Sequence, residues 1–68
     1  MLKLLDVVKL KNDREDVGVK ASFIGTVVDV LENGEAYTVE FTDENKETIM
    51  KSLYTTFNED ELVKIWST

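Results

Sequence analysis

Fourteen carboxylates, eight basic side chains and no histidine or cysteine set the limits on the chemistry this chain can perform. Without cysteine there is no thiolate nucleophile, no thiolate metal ligand and no disulfide. Without histidine the usual general base, the Ser-His-Asp triad and the usual zinc sites are missing. Carboxylate pairs such as Asp43 and Glu47 can in principle exchange protons with a substrate. Nothing in the sequence places them in a pocket, so solvated acidic surface is expected and the chain is read as non-catalytic. The same stretch, Asp43-x-Asn45-x-Glu47, has the opening of a calcium loop. Such a loop needs glycine at its sixth position and an acid at its twelfth; Thr48 and Tyr54 stand there. No metal and no cofactor is expected.

What the carboxylates can do is attract cations. The net charge of −6 is uneven, with about +1 in residues 1–25 and about −7 in residues 26–68. A phosphate backbone would be repelled by most of this surface, whereas a basic protein would be drawn to it. The candidate contact residues are therefore the acids Glu40, Asp43, Glu44, Glu47, Glu59, Asp60 and Glu61. Aromatic residues tend to carry interface energy, so Phe23, Tyr54 and Trp66 are the candidate anchors. Phe23 is expected to fill the core or to stand exposed as a contact.

These side chains need strands to position them. The central element is Ile24 to Phe41, IGTVVDVLENGEAYTVEF. Val27, Val28, Val30 and Leu31 suit a half-buried pleat, and Tyr37, Val39 and Phe41 alternate with polar residues. Asn33-Gly34 between them predicts a hairpin with a tight type I′ turn, and Gly25 a bulge or bend. Val8 and Leu10, alternating with Lys9 and Lys11, make a short first strand. Asn12 to Ser22 reads as a loop, with Gly18 at a turn and Val17 and Val19 tucked beneath. Glu47 to Tyr54 is expected as the fourth strand. Asn58 can cap a helical turn whose first residues, Glu59, Asp60 and Glu61, suit its positive end. Val63 to Trp66 is the last strand, with Val63 and Ile65 inward and Trp66 outward or across the barrel end. The 68 residues are expected to form a single all-β domain, an SH3-like small five-stranded barrel with one short helical turn before the last strand. Asp6 cuts the Leu4-Leu5 run short, so no signal peptide is expected, and no apolar run approaches the roughly 18 residues a membrane span needs. A cytoplasmic protein is the simplest expectation.

Five short motifs occur in order: Asp6-Val7-Val8-x-Leu10, Gly18 with Lys20, Gly25-Thr26-Val27-Val28, Tyr37-x-Val39-Glu40-Phe41-x-Asp43, and Glu59-Asp60-x-Leu62. In this order they resemble a family of short bacterial proteins catalogued as a domain of unknown function with an SH3-like fold. The resemblance runs from about Leu5 to Ile65. Gly-Thr-Val-Val also resembles the KOW motif of translation and transcription factors. Some members of the family lie beside genes for toxin-like domains, which implies an immunity or antitoxin role. The chain departs from the family at Ser22-Phe23, where Gly-Asp is usual, at Asn58, where proline is common, and at Lys51 to Tyr54.

The expected function is that of an acidic, non-catalytic protein-binding module, most concretely an immunity or antitoxin protein that masks a basic toxin. The alternatives are a KOW-like nucleic-acid- or ribosome-associated module using Lys9, Lys11, Arg14 and Lys20, a peptide-binding SH3-like module, and an accessory domain of a larger complex.

Overall fold

Alternating apolar positions put most of the chain into antiparallel strands, seen in a computed structural model that describes residues 1–67. Strand β1 is Val7–Leu10, β2 is Ile24–Leu31, β3 is Ala36–Thr42 and β4 is Leu62–Trp66. They form one mostly β structure, a four-stranded sheet in the order β3-β2-β1-β4. One face carries the core: Val8 and Leu10 from β1, Val27 from β2, Tyr37, Val39 and Phe41 from β3, and Leu62 from β4. Leu2, Val17, Val19 and Phe57 close over that face from the connecting segments.

Among the described residues, the fourth strand expected over Glu47 to Tyr54 does not form. Only Thr48 of the Glu47–Tyr54 stretch bridges β3, at Thr42, and the chain then turns into the helix α1, Met50–Leu53. Buried Ser52 explains the change. The Phe41 N–H donates to Ser52 Oγ at 3.2 Å, and the Ser52 hydroxyl donates to the Ile49 carbonyl at 2.7 Å. The Ile49 N–H donates to the Phe41 carbonyl at 2.8 Å. A side chain thus satisfies the edge group that a strand would have paired. Further along the same edge, Phe57 exchanges both backbone hydrogen bonds with Tyr37, at 2.8 and 2.9 Å.

The hairpin forms, with a different turn. Leu31 pairs with Ala36, so Glu32 to Glu35 all lie in the connection. Glu32, Asn33 and Gly34 have φ of 49°, 59° and 96°. A two-residue turn at Asn33-Gly34 would set Glu32 directly opposite Glu35, a like-charge pair that destabilises a ladder. The bulge sits at Val28, between the pairs Val27↔Val39 and Asp29↔Thr38, and not at Gly25. Gly25 serves close approach instead. A Cβ there would lie 2.5 Å from Val39 Cγ1 and 2.7 Å from the Phe41 ring.

In the last strand the inward position belongs to Leu62, opposite Leu10, so Val63 pairs with Lys9 and faces out. The register slips past Ile65, which is exposed along with Val63 and Trp66. The expectation of Val63 and Ile65 inside is overturned because the three-acid turn ends one residue earlier than alternation from Val63 assumes.

Gly25→Ala should therefore lower the unfolding free energy by about 1–3 kcal/mol through overpacking against Val39 and Phe41, measured by urea denaturation. An unchanged midpoint would show that the two side chains can yield.

Candidate functional site

The end of the sheet where β2 begins and β3 stops holds a shallow groove of about 390 Å³. Ile24 and Thr42 pair there, and the Thr42 hydroxyl donates to the Ile24 carbonyl at 3.4 Å. Phe23 enters from a turn closed by its own N–H on the Lys20 carbonyl, at 2.9 Å. It is half-buried: it packs against the core and also lines the groove. Asp43, Glu44 and Lys46 form the opposite wall.

Backbone donors fix the Asp43 carboxylate. Its Oδ1 accepts the Asn45 N–H at 2.8 Å and the Glu47 N–H at 3.0 Å. The turn is closed by Asp43 N–H on the Glu47 carbonyl and Lys46 N–H on the Asp43 carbonyl, both 2.9 Å, with Lys46 at φ 64°. The Asp-x-Asn-x-Glu pattern is thus a turn that uses the aspartate as its own acceptor. Among the described residues, no three or more carboxylates gather to hold a metal ion. Glu40, on the outward face of β3, accepts the Thr48 hydroxyl at 2.8 Å. Glu44 and Glu47 are exposed.

The other acids lie elsewhere. Glu59 and Asp60 border a wide-open depression of about 660 Å³ with Lys11, Glu35 and Asn58. Glu35 precedes β3 and Asp43 follows it, so seven strand residues separate the two acidic groups, roughly 23 Å at about 3.3 Å per residue. Trp66 stands on β4, at the opposite side of the sheet from β3, and Tyr54 is exposed where α1 ends. The ten candidates do not form one face. Phe23, Asp43 and Glu44 share the groove, with Glu40 and Glu47 close in the chain. Glu59, Asp60 and Glu61 form a separate group, and Tyr54 and Trp66 stand apart.

Two of that second group are engaged internally. Glu61 Oε1 receives Arg14 Nη1–H and its Oε2 receives the Asn58 N–H, both at 2.9 Å. Glu59 accepts the Tyr37 hydroxyl at 3.4 Å and pairs with the Met1 amine at 3.1 Å. Arg14 also grips Asp16 in a fork, Nε to Oδ1 at 3.0 Å and Nη2 to Oδ2 at 2.9 Å, and its guanidinium lies 5.3 Å from the Phe57 ring centre. Hydrogen bonds to Asp16 first and Glu61 second raise the Arg14 pKa, and the same fork lowers that of Asp16. Nothing in the sequence singles out this tie, since its partners lie up to 47 positions apart.

Asp6 is a second unforeseen residue. It is fully buried, and its Oδ2 accepts the Lys3 N–H at 2.8 Å while its Oδ1 has no partner. The Lys3 N–H holds its pKa below the ordinary value; burial opposes this, and the Ser67 side chain and the Lys64 and Lys3 charges assist.

Residues 4–63 match the profile of a family described as a domain of unknown function, DUF4926, in which no catalytic activity is indicated. Comparison with curated proteins and with solved structures finds no match. Among the described residues, no helix is long and apolar enough to cross a membrane.

Glu61→Ala should cost about 1–2 kcal/mol, since it strips the Asn58 N–H and the Arg14 guanidinium of a partner. Asp60→Ala should stay within about 0.5 kcal/mol. Equal losses in urea denaturation would refute the division between them. Asp6 and Asp16 have lowered folded-state pKa values, so the stability they add is complete above the ordinary carboxylate value of 3.8 and is lost as pH falls through their folded values. Asp16→Asn should accordingly flatten the acid limb of a stability-against-pH curve and leave its shape near neutrality unchanged.

Proposed function

The chain belongs to the DUF4926 family, whose profile covers residues 4–63, and we propose that this member is a protein-binding module whose Phe23–Asp43–Glu44 groove receives a basic side chain of a partner protein. The observation that carries the reading is the juxtaposition in one groove of an aromatic face with two carboxylates, one of them held by its own turn. A lysine or arginine laid there meets Phe23 along its apolar stem or its cation and the carboxylates at its head. Such charge complementarity speeds encounter and selects against acidic partners. Lys46 on the rim favours a partner that brings an acceptor next to its cation.

An immunity or antitoxin protein masking a basic toxin in the cytoplasm is the concrete form of this reading, and the family resemblance supports it. An SH3-like barrel is the structural form proposed with it, and the pairing of Phe57 with Tyr37 on the outer edge of β3, followed by β4 against β1, supports it. The KOW-like reading is weakened because Arg14, one of its four cations, is committed to Asp16 and Glu61.

Asp43→Asn with Glu44→Gln is the informative variant. The asparagine oxygen still accepts the two turn N–H groups, so charge is removed and the fold retained. Affinity capture from the native host should recover a basic protein with the original chain, insensitive to nuclease and weakened by salt. The double variant should bind it about tenfold or more weakly, a change of about 1.4 kcal/mol. Unaltered affinity would refute the groove, and loss of all partners after nuclease would give precedence to the KOW-like reading.

A further inference from the structure

The sheet has a second face that the core does not use. Val7 faces outward because Val8 and Leu10 face the core, and the pairing sets Val7 between Trp66 and Thr26, with Glu40 beyond Thr26. In the neighbouring row Val63 pairs with Lys9, and Ile24 pairs with Thr42. The bulge adds Val28, and the slip in β4 adds Ile65. Val28, Ile24, Val63, Ile65 and Trp66 are between 39% and 58% exposed. Scaled from the 150–250 Å² of an aromatic residue, their exposed side chains amount to roughly 400–500 Å². A patch of that size ranks with the largest that monomeric proteins expose, and such patches are often functional.

The charges on this face identify its occupant. In a chain of net −6 it carries one cation, Lys9 on β1, and two anions, Asp29 on β2 opposite Thr38 and Glu40 on β3. A basic partner would meet Lys9 near the middle of the patch, and an acidic one would meet Asp29 and Glu40. A second copy related by a twofold axis can set each Lys9 toward the other's Glu40. This is the self-complementarity that an isologous contact requires. Two such patches bury roughly 1,000 Å² in all, the lower end of specific interfaces, which makes the contact weak and concentration-dependent. We propose that the outer face of the sheet, centred on Val7, Val63 and Trp66, packs face to face against the same surface of a second copy of this chain. The groove at Phe23 and Asp43 adjoins this face through Ile24 and Thr42, and the dimer does not depend on a ligand bound there.

The chain has a single tryptophan, Trp66, at the proposed contact. The unaltered protein, followed by sedimentation from micromolar to millimolar concentration, should move from monomer toward twice the monomer mass. Tryptophan emission should shift to the blue over the same range as the indole leaves water. Salt should strengthen the association by screening the repulsion between two chains of −6, the opposite of its effect on a basic partner in the groove. Val63→Lys and Val28→Lys, each checked for folding by circular dichroism, should weaken the dimer at least about tenfold. A monomer at every concentration would overturn the proposal, as would a dimer indifferent to both lysines. A monomer that pellets with anionic phospholipid vesicles would also overturn it and assign the face to a lipid surface.

Discussion

Phe57 holds the fold together. Its backbone exchanges two hydrogen bonds with Tyr37, its ring meets Phe41 edge-on at 5.2 Å, and the Arg14 guanidinium covers it at 5.3 Å. The last of these brings in the loop through Asp16 and the acidic turn through Glu61. A single residue between elements thereby joins β3, the loop of Val17 and Val19, and the entry to β4. Truncating so large a buried aromatic typically costs about 3–5 kcal/mol, a large share of what a domain of this size has. The short Asn58 to Glu61 turn is then the only route by which the chain can cross from the edge of β3 to that of β1.

That constraint also separates structural from available charge. Of the seven acids that the sequence offers as contacts, Glu61 has both oxygens engaged and Glu59 is tied to Tyr37 and Met1. Asp43 is held by its own turn but still faces the groove. A count of carboxylates therefore overstates the acidity free at the surface. The anionic end beside Phe23 is localised, and under the proposed reading it suits one or two cations better than broad electrostatic capture.

The parts of the fold legible in the sequence were those written in period two. Tyr37, Val39 and Phe41 alternate without interruption and are all buried; Val8 and Leu10 do the same. Asn33-Gly34 marked the hairpin but not its loop length, because the repulsion between Glu32 and Glu35 across the turn acts only once the register is known. The stretch at Ile49 to Tyr54 misled because its apolar residues satisfy a strand and a short helix equally. The outcome rests on Ser52, whose hydroxyl replaces a backbone partner for Phe41. In the site, residue type picked out Phe23, Asp43 and Glu44, and only the pairing of Ile24 with Thr42 brings them together. Asp6 and Arg14 were illegible as structural ties because their roles depend on burial and on partners distant in the chain.

The strand order β3-β2-β1-β4 also bears on how the chain is made. During synthesis the ribosome releases β1 first and β4 last, yet β1 lies between β2 and β4. Until the acidic turn and β4 emerge, the nascent chain can assemble the hairpin and lay β1 against it, but β1 keeps a bare edge and Phe57 has no Arg14–Glu61 clasp. Pairings this distant close slowly, and an open edge invites mispairing in the interval. Folding of the sheet thus waits for residues 62–66, and a chain stalled before them presents quality control with an unpaired β1 edge.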